Sequence, residues 1–360
     1  MKVKLGEICD IKAGGTPARS IPAYWENGDI PWVKIGDMQG KFLKSTSECI
    51  TPDGLKSSSA KLFTKGTLLL SIFATIGEVS ILDIDACTNQ AVAGLALKSP
   101  CLTSDYLYYF LLSQKEYLVF LSRGVAQNNI NLSILRSMKL DIPSLARQRE
   151  IVRVLDKVET VIDKHKRQLA KLDELAKARF VEMFGDARTN SKRFLEKRAS
   201  LLISLNSGKF LEQNKRGTGN VPVYGGNGVA WYTDIPLIEY DTIVIGRVGA
   251  YRGNVRLAHS PLWVTDNAMY IKSFDEKSLD IIYFRSFLEF YDLGRFAAGA
   301  GQPKITQKPL QENKLMLPPL PLQRQFAEFV THIERMKGKV RASLEATQKL
   351  LGSLMQEYFS

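Results

Sequence analysis

Lys139-Leu140-Asp141-Ile142-Pro143-Ser144-Leu145, followed by Gln148-Arg149, recurs as Lys314-Leu315-Met316-Leu317-Pro318-Pro319-Leu320, followed by Gln323-Arg324. Every pair keeps the same offset in numbering, 314 less 139, or 175. Upstream at that offset, Gln127, Ile130 and Asn131 match Gln302, Ile305 and Thr306. Tyr109-Phe110 matches Tyr283-Phe284 at 174, and Thr88-Asn89-Gln90-Ala91 matches Thr265-Asp266-Asn267-Ala268 at 177. Thr67 and Thr242 open equivalent apolar runs. Small drifts in offset are what surface-loop insertions produce. The chain is two copies of one plan.

Downstream of each Gln-Arg, apolar positions step by four and three. The first run is Ile151, Leu155, Val158, Ile162, His165, Leu169, Leu172, Ala176, Arg179, Met183. The second is Phe326, Val330, Ile333, Lys337, Val340, Leu344, Thr347, Leu351, Leu354, Tyr358. Both keep one seven-residue register, broken only by His165, Arg179, Lys337 and Thr347, which predicts helices whose stripes face a partner. Pro143 and Pro321 precede or open them, and Gly185 follows the first. At 1.5 Å per residue each would be roughly 55 Å long, too long to bury its stripe in a small domain. The pattern therefore pairs the helices with each other, with Ile151, Leu155, Val158, Ile162, Leu169 and Leu172 against Val330, Ile333, Val340, Leu344, Leu351 and Leu354. His165 reads as a register-setting polar position, not a ligand.

Globular text precedes each helix. The expected division is 1–146, a central helix 147–185, a second globule 186–322, and a final helix 323–360. Thr67–Phe73 and Asp241–Ile245 are the clearest strands, and short helices are expected at Ser104–Leu121 and Lys277–Leu293. The fold class is α+β: two mixed α/β domains, each with a curved sheet, in a pseudo-twofold repeat with the long helices. The globules diverge more than the helices. Residues 20–60 and 186–240 barely align, except that Ile30-Pro31-Trp32 with Asp37 resembles Val221-Pro222-Val223-Tyr224-Gly225-Gly226-Asn227.

The 360 residues carry 49 Lys and Arg against 37 Asp and Glu, a net +12. The excess is spread: +2 over 1–146, +3 over 147–185, +5 over 186–320 and +2 over 321–360. A folded basic surface along a phosphate backbone fits this better than a basic tail. No run of about 18 apolar residues suggests a membrane span, and the first residues do not read as a signal peptide. Cys9, Cys49, Cys87 and Cys101 lack metal or disulfide spacing and read as free thiols of a reducing cytoplasm. The text contains no P-loop, no His-Glu-x-x-His and no Asn/Asp-Pro-Pro-Tyr/Phe, and its three histidines are scattered. These absences favour a binding protein. A DNA-modifying enzyme with an unrecognised site, or a scaffold for protein partners only, stays open as an alternative.

Taken in order, several motifs resemble one family, the specificity (S) subunits of type I restriction-modification enzymes. They are Gly14-Gly15-Thr16-Pro17 with Tyr24-Trp25 and Ile30-Pro31-Trp32, then Val221 through Gly228, the pairs Gln127…Ile130-Asn131 and Gln302…Ile305-Thr306, and the duplicated Pro-x-Leu…Gln-Arg before a heptad helix. The chain departs from the pattern at Arg147-Gln148 and Leu322-Gln323, where members often carry an acid before the glutamine. The resemblance covers essentially the whole chain. It implies two target recognition domains, separated by antiparallel long helices, that read the two halves of a split double-stranded DNA sequence. It also implies two methyltransferase (M) subunits docked on the helices, and restriction/translocase (R) subunits joining that core. S-adenosylmethionine would sit on the methyltransferase, ATP and magnesium on the restriction partner, and no cofactor on this chain. Bidentate side chains on glycine-flanked loops are the candidate DNA contacts. They are Lys34, Asp37, Arg123, Gln127, Asn128 and Asn129 in the first copy. In the second they are Tyr224, Asn227, Arg247, Tyr251, Arg252, Gln302 and Lys304.

Overall fold

The computed structural model describes residues 2–122, 129–299 and 303–360. The first copy runs through strands β1 (Lys2–Lys4), β2 (Cys9–Ala13), β3 (Ile30–Val33), β4 (Phe42–Leu43), β5 (Glu48–Ile50), β6 (Leu62–Phe63), β7 (Leu68–Ser71), β8 (Val79–Leu82), β9 (Ala86–Thr88), β10 (Val92–Leu97) and β11 (Lys139–Asp141). Its helices are α1 (Leu5–Ile8), α2 (Pro52–Lys56), α3 (Ser104–Ser113), α4 (Lys115–Ser122), α5 (Leu132–Ser137) and the 40-residue α6 (Leu145–Phe184). The second copy has β12 (Leu195–Arg198), β13 (Ile203–Ser207), β14 (Val221–Gly225), β15 (Gly228–Thr233), β16 (Thr242–Gly246), β17 (Val255–Ala258), β18 (Trp263–Val264), β19 (Ala268–Phe274), β20 (Ala297–Ala298), β21 (Lys304–Ile305) and β22 (Lys314–Leu317). It adds α7 (Ile281–Phe290), α8 (Gln307–Glu312) and the 40-residue α9 (Leu320–Phe359).

The duplication holds at the level of sheet order. The large sheet is β2-β10-β7-β8-β4 in one copy and β13-β19-β16-β17 in the other. The small sheet is β5-β3-β9-β6 in the first and β15-β14-β18 in the second, and each contains one parallel pair, β3 with β9 and β14 with β18. β1 pairs with β11 as β12 pairs with β22, bringing the start of each globule to the start of its long helix. β2 and β13 begin at Cys9 and Ile203, an offset of 194, whereas α6 and α9 begin at Leu145 and Leu320, an offset of 175. Most of the difference accrues between β3 and β7, where the first copy carries β4, β5, α2 and β6 and the second has only β15.

The chain divides into two compact units, residues 1–165 with 343–360, and residues 166–342. Each unit thus takes half of each long helix. In the first, Leu351, Leu354, Met355, Tyr358 and Phe359 from α9 pack on the core that holds Ile151 and Leu155 of α6, and Phe359 lies 5.2 Å from Tyr106. In the second, Phe180, Met183 and Phe184 at the end of α6 enter the core with Phe326 and Val330 of α9, and Phe184 lies 4.8 Å from Tyr283. In this unit Phe180 and Phe184 meet Phe326 while Asp173 meets Lys337, so the two helix halves run antiparallel. Burying such an aromatic side chain contributes roughly 1.5–3 kcal/mol, which fixes how each helix end sits.

Burial follows the three-four stepping. Ile151, Leu155, Ile162, Val330, Ile333 and Val340 are buried; Val158, Leu169, Leu172, Leu344, Leu351 and Leu354 are half-buried. Lys337 occupies the position equivalent to Ile162, has a side chain only 8% exposed, and pairs with Asp173 and with Glu334 at 2.8 Å. His165 is half-buried, and its Nδ1 has no hydrogen-bond partner among the described residues. In the first unit Lys41 binds Asp105 at 2.7 Å and Asp156 of α6 at 2.6 Å, while the Tyr109 hydroxyl reaches Asp156 at 2.6 Å and Glu159 at 2.9 Å. Burial holds the Glu159 carboxyl above its ordinary value, although the Tyr109 hydrogen bond and Lys41 pull it down.

The repeated glutamine has one task in both copies. Gln148 is fully buried; its Oε1 accepts from the Thr103 N–H at 3.0 Å, and its Nε2 donates to the Cys101 and Pro143 carbonyls at 2.7 and 2.9 Å. Gln323 repeats this with the Asp280 N–H at 2.9 Å and the Ser278 and Pro318 carbonyls at 2.9 and 2.8 Å. Thr103 and Asp280 are the N-caps of α3 and α7, so the glutamine ties the start of the long helix to the start of the short one. The stretch 104–121, expected as one helix, bends at Gln114. There the chain leaves α3 and re-enters as α4, which turns Leu118 into the core and lets Lys115 pair with Glu78 at 2.7 Å.

Candidate nucleic-acid interface

At one end of each large sheet several backbone segments converge, and the ties between them repeat. The Gly14 N–H donates to the Val92 carbonyl at 3.1 Å and the Gly15 N–H to Thr88 at 2.9 Å; the Gly208 and Lys209 amides donate to Ala268 and Val264 at 3.0 and 2.8 Å. A Cβ on Gly14 would fall 2.1 Å from Thr88 Oγ1, and one on Gly208 2.1 Å from the Thr265 carbonyl, so only glycine allows this approach. The Ile130 N–H binds the Ile72 carbonyl at 2.9 Å, and the Ile305 N–H binds the Arg247 carbonyl at 2.9 Å. The Asn89 N–H binds Val33 at 3.0 Å and the Thr265 N–H binds Tyr224 at 2.9 Å, which brings in the ends of β3 and β14. Indole N–H groups lock the glycine segments: Trp32 donates to the Gly15 carbonyl at 3.0 Å and Trp263 to Lys209 at 2.9 Å.

The described members of the sequence-selected set fall on this end but divide by task. Lys34 is half-buried and pairs with Glu48 at 2.6 Å. The Asp37 carboxylate accepts from the Lys34 and Ser47 amides at 2.8 and 3.1 Å, capping the turn after β3. Asn129 is half-buried in a bridge with Phe73. Arg247 staples loops: its guanidinium donates to the Ile305 carbonyl at 3.2 Å and to Ser207 Oγ at 2.9 Å, and burial draws it below its ordinary value. Tyr224 is half-buried against the core under β14. Asn227 lies exposed at the β14–β15 turn, Tyr251 and Arg252 are exposed after β16, and Lys304 is exposed on β21. Arg123, Gln127, Asn128 and Gln302 lie outside the described residues. Asn131 and Thr306 are the N-caps of α5 and α8, so that repeated motif is architectural.

Two features escaped the sequence reading. Arg19 lies over the Trp25 and Trp32 rings at 3.6 and 5.0 Å, and Arg216 over the Trp231 and Phe210 rings at 4.2 and 5.7 Å. Arg19 and Phe210 follow the glycine segments closely in sequence, and aromatic residues one loop away from an arginine were the available signal. The turns between β9 and β10 and between β18 and β19 place Gln90 and Asn267 on the surface at this end.

Elsewhere, Cys9 and Cys87 are buried, Cys49 is half-buried and Cys101 is exposed, all as free thiols; burial pushes the Cys9 and Cys87 thiols up to about 11. No His/Cys/Asp/Glu group suited to a metal occurs among the described residues, and no described helix is long and apolar enough to cross a membrane. Two shallow depressions on the long helices match at an offset of 175: Arg149, Val152 and Lys157 line one, Arg324, Ala327 and His332 the other.

A specificity subunit of the type I restriction enzyme EcoprrI from Escherichia coli is 27% identical over 368 residues, covering 93% of this chain and 88% of that protein. One of the type I enzyme MjaIX from Methanocaldococcus jannaschii is 31% identical over 188 residues, 51% of this chain and 43% of that protein. The crystal structure of a type I S subunit from M. genitalium superposes with a TM-score of 0.59 at 19% identity, covering 100% of this chain and 96% of that one, and so shares the fold. The family described as the type I restriction modification DNA specificity domain matches residues 1–174 and 201–346, and the chain belongs to that family.

Proposed function

We propose that the chain is the DNA-reading subunit of a type I restriction-modification enzyme, and that each unit reads one half of a split target. The observation that carries this reading is the duplicated loop end. Equivalent segments, held by equivalent backbone ties, present Lys34, Gln90 and Asn129 in one unit and Asn227, Tyr251, Asn267 and Lys304 in the other. A common frame with divergent side chains is what reading two different base sequences requires, because frame and phosphate contacts position while base contacts specify. The dispersed net charge of +12 supports the phosphate share of the binding.

The chain does no chemistry itself and works in a complex with the other subunits and DNA. Methyltransferase subunits bring S-adenosylmethionine, and restriction/translocase subunits bring ATP and magnesium. The matching depressions at Arg149 and Arg324 support two copies of the methyltransferase, because one surface offered twice suits one partner taken twice. The helices carry the spacing between half-sites, which for readers one DNA turn apart is about 34–36 Å.

Exchange of residues 186–322 for the equivalent segment of a related protein tests this, with partner subunits supplied and methylation mapped in cells. One half-site should change while the other half and the spacing persist. A few residues added near 146 or 186 should change the spacing and leave both halves intact. Rewriting of both halves by the single exchange would overturn the modular reading.

A further inference from the structure

The turn from the small sheet back to the large one occurs once per unit, at Thr88–Ala91 and at Thr265–Ala268. Its third residue is a primary amide in both, Gln90 and Asn267. The backbone beneath each amide is fixed. Thr88 is buried, its hydroxyl donates to the Val92 carbonyl at 3.1 Å, and Asn89 Oδ1 accepts from the Ala91 N–H at 3.1 Å. The Ala91 carbonyl accepts from Ile72 at 2.8 Å. In the second turn the Ala268 N–H donates to Thr265 at 3.0 Å, and the Asn267 carbonyl accepts from Arg247 at 3.0 Å. The glycine approaches at 14 and 208 press a second segment against each turn.

On these rigid supports the two amides themselves stay exposed. The Asn267 side chain makes no hydrogen bond among the described residues. Gln90 Oε1 accepts from Thr16 Oγ1, which orients the amide and leaves both Nε2 hydrogens and one oxygen lone pair unused. Gln148 and Gln323 show the opposite design, since their amides are buried and bonded at both the oxygen and the nitrogen. An exposed amide carried at the same place in both copies adds little to the fold. A primary amide matches the major-groove edge of adenine, donating to N7 while accepting from N6–H.

We propose that Gln90 and Asn267 are equivalent base-reading side chains, each pairing its amide with an adenine in the half-site its own unit reads. The proposal rests on the DNA-reading function above. Its test uses the full chain with its methyltransferase partner in methylation-deficient cells, comparing genome-wide methylation for wild type, Gln90→Ala and Asn267→Ala. Losing one bidentate pair should reduce discrimination roughly ten- to hundredfold at one adenine position. Gln90→Ala should relax that position in one half-site only, and Asn267→Ala in the other. Thermal unfolding should be unchanged, since both side chains are exposed. If an alanine variant yields no methylation, Gln90→Asn and Asn267→Gln take its place and should shift preference at the same position, because the amide is kept and its reach altered. A wild-type split motif that no substitution alters, or relaxation at a base other than adenine, would overturn this inference alone. A wild-type chain that directs no split motif would overturn the proposed function as well.

Discussion

Replacing Gln148 by Leu tests whether the duplicated glutamine holds each globule to its helix. Leucine nearly keeps the volume, so packing changes little. What is lost is the pairing of the Thr103 N–H and of the Cys101 and Pro143 carbonyls, all facing a side chain with 0% exposure. Each buried polar group left without a partner costs about 1–3 kcal/mol. The carbonyls have second lone pairs and Cys101 is exposed, so the lower half of the summed range applies, about 3–6 kcal/mol. Gln323→Leu should cost the same within about 1 kcal/mol, because its three partners repeat the geometry. Urea unfolding gives the size, and hydrogen exchange by mass spectrometry gives the place: protection should fall first at the start of α3 for Gln148→Leu and of α7 for Gln323→Leu. A loss below about 1 kcal/mol in either variant, or a large loss in only one, would refute the reasoning.

Phe184→Ala empties a fully buried site and should cost about 3–5 kcal/mol, whereas Leu169→Asp or Leu344→Asp, at half-buried seam positions, should cost less; melting temperatures rank them. Lys337→Ile should be neutral or stabilising, since Asp173 and Glu334 are 65% and 41% exposed and regain water when the buried cation is replaced by the residue type found at Ile162. For Glu159 the raised folded value means that the native state binds more protons than the unfolded chain above the ordinary 4.5. Its contribution therefore turns unfavourable as pH rises through that window. Glu159→Gln, which keeps an acceptor for Tyr109, should gain stability relative to wild type as pH rises from about 4.5 toward 7, and unfolding midpoints across that range check the sign.

The long helices were legible because three-four stepping survives in sequence without any knowledge of the partner, and α6 and α9 begin within two or three residues of the positions it suggests. The correspondence between the early strands was not, because the offset falls from 194 at β2 to 175 at the long helices, mostly across β4, β5, α2 and β6. An alignment held at 175 sets β2 against residues 184–188, at the end of α6 and in the turn beyond it. Side-chain tasks were least legible. Arg247 on a glycine-flanked loop has the composition of a base reader, yet its guanidinium is consumed by Ile305 and Ser207. Asp37 is likewise consumed by backbone amides, while Gln90 and Asn267 stood in a matched motif without any sign of exposure. Text records residue type and spacing; whether a polar group is already satisfied is decided by neighbours distant in sequence.

The aromatic end of each long helix completes the core of the other copy. Phe184 plugs a socket formed around Tyr283, and Phe359, its counterpart at the end of α9, plugs one around Tyr106; each tyrosine lies three residues past the N-cap of its short helix, so Tyr106 and not Tyr109 is the counterpart of Tyr283. A polypeptide of one copy would carry a plug made for another molecule and a socket open to receive one. Two such molecules satisfy each other by exchange, and joining them head to tail yields the connectivity of this chain. Fusion frees the halves to differ wherever the exchange does not reach, so their reading loops can drift apart. Plug and socket stay bound to a common shape, which is why the helices keep register while the globules they close have diverged.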